Sequence, residues 1–119
     1  MKKNIIKDKS FDVAIRIVKL YQYLTTEKNE YILSKQLLRS GTSVGAMVRE
    51  SEYSESKADF IHKLAIAQKE SNETLYWLEL LTKTNYLDKT AFESIHVDAV
   101  EIIKLLTSII VTTKKRLVN

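Results

Sequence analysis

No proline interrupts this chain, and glycine occurs only twice, at Gly41 and Gly45. Sheet-rich folds of similar size turn often, and tight turns draw on those two residue types. An all-β or α/β arrangement is therefore disfavoured. Long helices are permitted almost throughout, because nothing fixes φ or removes a backbone N–H inside them. The 119 residues suit one domain, with 45% apolar residues for a core and 29% charged residues for a solvated surface. The expectation is one all-α domain over residues 1–119, with a basic N-terminal arm at 1–9 and a short basic C-terminal tail at 114–119.

Four helices follow from the apolar spacing. The first is expected from Phe11 to Leu24 or Thr25 with Ser10 as N-cap, its stripe formed by Phe11, Ala14, Ile15, Val18, Tyr21 and Leu24. The second is expected from Tyr31 to Tyr53 and continues through Ser40-Gly41-Thr42-Ser43, because Val44, Met47 and Val48 resume the stripe of Leu33 and Leu37. Gly41 and Gly45 share one side of it and invite a close helix neighbour. The small middle of the third helix, Ala67 and Ser71, is the expected neighbour. That helix follows a Ser56 cap with Asp59 as its box partner and runs to Thr84 on a seam of Phe60, Leu64, Ala67, Ser71, Thr74, Leu78 and Leu81. Asp88 caps the fourth, which points Phe92, Ile95, Ala99, Ile102, Ile103, Leu106, Ile109, Ile110 and Thr113 inward. Helices of about 14, 23, 28 and 28 residues with short loops imply an antiparallel up-down-up-down four-helix bundle. Val100, Ile103, Leu105 and Ile110 spread aliphatic surface around the fourth helix, so self-association is expected to cover it.

Three segments carry a resemblance. They are Ser10-Phe11-Asp12-Val13-Ala14, the run from Gln36 to Ala46 (Gln-Leu-Leu-Arg-Ser-Gly-Thr-Ser-Val-Gly-Ala), and Ser56-Lys57-Ala58-Asp59-Phe60 followed by Lys69-Glu70-Ser71-Asn72-Glu73-Thr74. In this order and spacing the chain resembles the four-helix-bundle proteins encoded by intervening sequences in bacterial 23S rRNA genes. These are related to the accessory variability determinant proteins of diversity-generating retroelements. The resemblance implies a bundle that assembles into a ring-like homopentamer, with no enzymatic activity established for its branch. In the retroelement branch, a basic surface binds nucleic acid and the reverse transcriptase. The residues matching the family pattern are Gln36, Arg39, Ser43, Gly45, Glu50, Glu70 and Glu73, with Gly41 beside them; they read as packing and interhelical polar contacts. Met47 stands where relatives usually carry Asn.

Reaction chemistry finds little support. Asp59-x-x-His62 and Glu93-x-x-His96 have the ligand spacing of di-metal bundles. In an antiparallel bundle, however, the starts of helices three and four lie about 30 Å apart at about 1.5 Å per residue. One subunit cannot unite them, and both histidines read as solvated surface groups. No glycine-framed serine, phosphate loop or cysteine is present, so nucleophilic and thiolate chemistry fall away, and no metal or cofactor is implied. Glu70 and Glu73 read as partners of Arg39 or of a neighbouring subunit rather than an acid–base pair.

Nineteen Lys and Arg stand against fifteen Asp and Glu, a net charge of +4. This tolerates an anionic partner without requiring one. The assumed topology gathers Lys2, Lys3, Lys7 and Lys9 near Lys114, Lys115 and Arg116, seven cations at one pole. Glu50, Glu52 and Glu55 are expected at the same pole. Arg16 with Lys19, and Lys35 with Arg39, add smaller basic pairs. The aromatic residues do not alternate with cations as a base-stacking surface would, so any nucleic acid is expected to be held by backbone and shape. No leader or membrane span is read: Ile5-Ile6 is flanked by lysines, and the apolar region from Val97 to Val118 is broken by charges. A cytoplasmic, non-enzymatic homo-oligomer binding structured RNA or a ribonucleoprotein is the leading expectation, with no small-molecule substrate. A structural or adaptor oligomer for another protein is the alternative.

Overall fold

A computed structural model describes residues 4–118, with the side chain of residue 118 left aside. The first helix, α1, spans Ile5–Thr26 and starts well before the predicted Phe11. Asn4 is its cap, its side-chain oxygen accepting the Lys7 N–H at 3.2 Å. Ile6 extends the inner stripe of Val13, Ile17 and Leu24, which is why the helix does not begin at Ser10. Ser10 is instead buried inside α1, and its hydroxyl donates to the Lys7 carbonyl at 3.2 Å. Residues 5–9, expected as an arm, are therefore helical.

α2 spans Leu33–Ser51 without a break, as predicted, though both ends lie inside the expected Tyr31 and Tyr53. The preceding turn uses Asn29 at φ 53, a left-handed conformation that asparagine tolerates. The start of α2 is held by Glu30, whose buried carboxylate accepts the N–H groups of Ile32, Leu33 and Ser34 at 3.2, 3.0 and 2.7 Å. Burial pushes this carboxyl up, but the backbone donors outweigh burial and hold it below its ordinary value. The predicted helix bounds left Glu30 in the connection between the first two helices.

The glycines meet α1 rather than the small middle of the third helix. A methyl group on Gly41 would lie 2.8 Å from Cγ1 and Cγ2 of Ile17, and one on Gly45 would lie 3.3 Å from the Ser10 carbonyl oxygen. The third helix, α3 (Lys57–Lys83), meets α2 through small hydroxyls, Thr74 donating to Ser40 at 3.1 Å. Ser56 caps α3 by accepting the Asp59 N–H at 3.0 Å, while Asp59 accepts the Glu55 N–H at 3.1 Å. The predicted α3 seam is buried from Leu64 through Leu81, with Phe60 only partly covered. Asn85, at φ 69, turns the chain, and Asp88 accepts the Ala91 N–H at 2.8 Å. The fourth helix, α4, spans Lys89–Val118, so the basic residues 114–116 are helical rather than a tail.

Cross-helix contacts fix the topology. Lys7 meets Glu52 and Ile17 meets Gly41, so α1 and α2 are antiparallel. Lys9 meets Glu101 and Arg16 meets Asp98, so α1 and α4 are antiparallel. Gln68 donates to Thr107 at 2.7 Å, while Thr82 and Phe92 share a groove farther along, so α3 and α4 are antiparallel too. Each helix packs closely on its two neighbours, and among the described residues the diagonal pairs meet only through core side chains. The result is the predicted all-α bundle, elongated at 51 × 26 × 21 Å. Its middle layer is small-sided, with Val13, Gly41, Ser71, Thr74 and Ala99 closing it to about 10 Å³ of free space.

The fourth helix does expose aliphatic surface, at Val97 and Val111, but not at the residues the sequence suggested. Ile110 is buried, and Val100, Ile103 and Leu105 are half-buried on α4. The continuous uncovered stripe belongs to α1, where Phe11, Ile15 and Val18 are 50%, 41% and 38% exposed. These residues stand at helical spacing on the side of α1 away from the α1 core stripe, and no second layer covers them.

Candidate nucleic-acid interface

Among the described residues, Lys7 and Lys9 do not gather with Lys114, Lys115 and Arg116 as the predicted pole requires. Lys2 and Lys3 lie outside the described residues. Lys7 pairs with Glu52 at 3.1 Å. Lys9 pairs with Glu101 at 2.5 Å, and this hydrogen bond raises the Lys9 pKa above its ordinary value. Because Lys9 is level with Glu101, Lys114 lies about 20 Å farther along α4 at about 1.5 Å per residue. The geometric reason is that α4 runs well past the start of α1. Of the three glutamates expected to oppose the pole, Glu52 is the partner of Lys7, while Glu50 and Glu55 make no ion pair among the described residues.

The helical basic pairs divide in the same way. Arg16 binds Asp98 at 2.6 Å and also donates to the hydroxyl and carbonyl oxygens of Ser94, at 2.8 and 3.3 Å. Arg39 binds Glu70 at 3.1 Å and also Glu73. Glu73 is held below its ordinary pKa first by the Trp77 indole N–H, which donates at 3.1 Å, and then by Arg39, against an opposing effect of burial. Ser43 donates to the Arg39 carbonyl at 2.7 Å, and Gln36 is exposed on the same helix. Met47 is partly buried against the core. By contrast Lys19, Lys35, Lys114, Lys115 and Arg116 are exposed and make no ion pair among the described residues.

The end of α4 is electrostatically distinct. From Ile102 to Asn119 the chain has no Asp or Glu, while Lys104, Lys114, Lys115 and Arg116 all lie in that stretch. Lys115 and Arg116 occupy the last turn, where the partial negative charge of the helix terminus favours cations. None of these four cations makes an ion pair among the described residues. Lys104 was absent from the sequence-based candidates, although the acid-free run that singles it out is legible in the sequence.

The two histidines lie on different helices. His96 stacks on Phe92 with ring centroids 5.0 Å apart, and His62 is exposed on α3. Among the described residues no three His, Cys, Asp or Glu side chains converge as metal ligands would. The α1–α2 face holds a groove of about 530 Å³ lined by Phe11, Ala14, Gly45, Ala46, Arg49 and Tyr53, among others. The Arg49 guanidinium lies 5.2 Å from the centre of the Phe11 ring, so the rim is both cationic and aromatic. Among the described residues no helix is long and apolar enough to cross a membrane.

These features define an antiparallel four-helix bundle with a basic end and open apolar faces. Residues 2–108 match the family described as 23S rRNA-intervening sequence protein, and the chain belongs to that family. It is similar to a crystal structure from Bacteroides thetaiotaomicron, a protein of unknown function from the S23 ribosomal protein family. The two are 58% identical, with a TM-score of 0.88, over 88% of this chain and 97% of the other. No curated protein matches the chain.

Proposed function

We propose that this protein is a non-enzymatic homo-oligomer, pentameric as the resemblance implies, that binds structured RNA or a ribonucleoprotein through the basic end of α4. The observation that carries the reading is the acid-free stretch after Glu101, with Lys114, Lys115 and Arg116 exposed and unpaired among the described residues. Phosphates displace counterions from such a cluster, so the attraction is strong at low salt and falls steeply as salt rises. An oligomer repeats the cluster and turns weak single contacts into avidity. The ribosomal RNA context in the family's description, and the S23 ribosomal protein family named for the Bacteroides protein, support RNA as the anion.

A gel shift with structured RNA at two salt concentrations tests this reading. K114E/K115E is expected to weaken binding by at least about tenfold at low salt, because two attractive phosphate contacts become repulsive. No shift by the unaltered protein, or a shift indifferent to those substitutions, overturns it. A second reading, an oligomeric adaptor for another protein, is favoured by the neutralisation of Lys7, Lys9, Arg16 and Arg39 by carboxylates. It predicts no RNA retention at either salt concentration.

A further inference from the structure

We propose that the α1–α2 groove holds one guanine nucleotide, either free or as an unpaired residue of an RNA. The site is separate from the basic end of α4 and does not depend on it. Phe11 comes from α1, while Arg49 and Glu50 stand in the last turn of α2 and Tyr53 just past it. Antiparallel packing brings all four to one groove of about 530 Å³. Small-molecule sites occupy about 300–1,000 Å³.

The groove follows from close helix approach. A methyl group on Gly45 would lie 3.3 Å from the Ser10 carbonyl oxygen, so the backbones of α1 and α2 nearly touch at this height. Ala14 and Ala46 line the groove beside Gly45, and neither methyl group reaches far enough to fill it. Phe11, 50% exposed, and Tyr53, 80% exposed, bring two aromatic rings to the same space. Nucleobases stack on such faces and on guanidinium planes. Sequence order hides this pairing of ring and cation, because the two come from different helices.

The charges select the ligand. The Arg49 guanidinium lies 5.2 Å from the centre of the Phe11 ring and makes no ion pair among the described residues. A guanidinium resting on a ring keeps its N–H donors, and their fork geometry matches a phosphate. Glu50 lines the same groove, is exposed and also makes no ion pair among the described residues. An ionised carboxylate can only accept hydrogen bonds. On its Watson–Crick edge guanine offers two adjacent donors, N1–H and the N2 amino group, which suit the two carboxylate oxygens. Adenine and cytosine set an amino donor beside a ring-nitrogen acceptor, and uracil flanks its N–H with carbonyl oxygens. Each of these turns a lone pair toward the carboxylate, which disfavours it. An aromatic carboxylate would answer Arg49 but leave Glu50 unanswered. A guanine nucleotide answers both, phosphate to Arg49 and base edge to Glu50.

Calorimetric titration of the whole protein with GMP, AMP, CMP, UMP and guanosine tests the site. GMP is expected to bind at least about tenfold more tightly than the other three nucleotides, as one bidentate base contact allows. E50Q is expected to erase that preference, and R49Q to lower GMP affinity to that of guanosine. A46F fills the groove from an exposed position and is expected to abolish binding, with circular dichroism confirming that each variant folds. No binding of GMP by the unaltered protein, equal binding of the four nucleotides, or a GMP preference that survives E50Q overturns the proposal. K114E/K115E is expected to leave GMP binding unchanged, so failure of the RNA reading and failure of this site are separate results. Gel shifts with a hairpin RNA, its loop guanines replaced by adenines, identify the source. Weaker binding of the replaced RNA assigns the groove to RNA, and equal binding assigns it to the free nucleotide.

Discussion

The cations of α1 and those at the end of α4 are the same residue types with opposite electrostatic circumstances. Lys7, Lys9 and Arg16 each face a carboxylate just past α2 or on α4, whereas Lys114, Lys115 and Arg116 stand beyond Glu101 in a stretch with no acid. What separates the groups is relative helix position. α4 outruns the start of α1, so no described residue of α1 stands level with its last turns. Counting Lys and Arg cannot show this, because availability to a phosphate depends on which acid stands at the same height.

The largest expected effect breaks the comparison directly. K114A/K115A/R116A is expected to lower RNA affinity at low salt by about tenfold or more and to flatten the salt dependence by up to about one logarithmic slope unit per cation removed. K7A/K9A/R16A removes as many cations and is expected to change affinity far less, because those charges are already compensated. Equal losses from the two triple variants would refute the distinction.

At the far end of the bundle a carboxylate serves backbone rather than a cation. Glu30 is buried and accepts three N–H groups at the start of α2, so Glu30→Ala leaves those donors without a partner. The expected loss is about 1–3 kcal/mol, seen as a lower urea midpoint. The pH dependence follows from the depressed folded-state pKa. The stabilisation is fully present above the unfolded value of about 4.3 and is lost as pH falls through the lower folded value. The unaltered protein should therefore lose stability below about pH 4.3 more steeply than the alanine variant.

The relative position of α1 depends on Gly41. A methyl group there would press on Cγ1 and Cγ2 of the fully buried Ile17 at 2.8 Å, neither of them the far end of a flexible chain. Overpacking of this kind costs about 1–3 kcal/mol, against roughly 1 kcal/mol gained by alanine over glycine in a helix. A net loss on the order of 1 kcal/mol is expected for Gly41→Ala in urea unfolding. A neutral or stabilising result would mean that α1 can retreat from α2 without penalty.

Much of this was legible in the sequence, and the rest failed for identifiable reasons. Apolar periodicity located four helices, because a core-facing stripe is a local pattern, and it carried α2 through Gly41 correctly. It could not assign the glycines to a neighbour: Ala67 and Ser71 offered an equally small partner, but Ile17 and Ser10 fill that space. It misread Ser10, since a serine before an apolar run looks like a cap, and only the burial of Ile6 shows the helix already formed. Glu30 escaped notice because an acid two residues ahead of a cap position looks like loop surface until its backbone partners are seen. Of the free cations on the acid-free end of α4, all were named except Lys104, but the neutralised ones of α1 were named as well, because Glu101 and Asp98 reach α1 only in three dimensions.

The smallest expected effect is the most direct test of availability. Asp98→Asn keeps the size of the side chain and removes the charge that holds Arg16 at 2.6 Å, leaving Ser94 as its remaining partner. The pair is half exposed, so the cost to stability is expected to be no more than about 1 kcal/mol. If compensation is what keeps α1 from binding phosphate, the freed guanidinium adds one usable charge. RNA affinity should then rise slightly at low salt, and the salt dependence should steepen by just under about one unit. The same substitution made with Arg16→Ala should show neither change, which ties the gain to that guanidinium rather than to the lost acid alone. A gain that survives Arg16→Ala would mean that overall charge governs binding, and the contrast between α1 and α4 would then carry no functional weight.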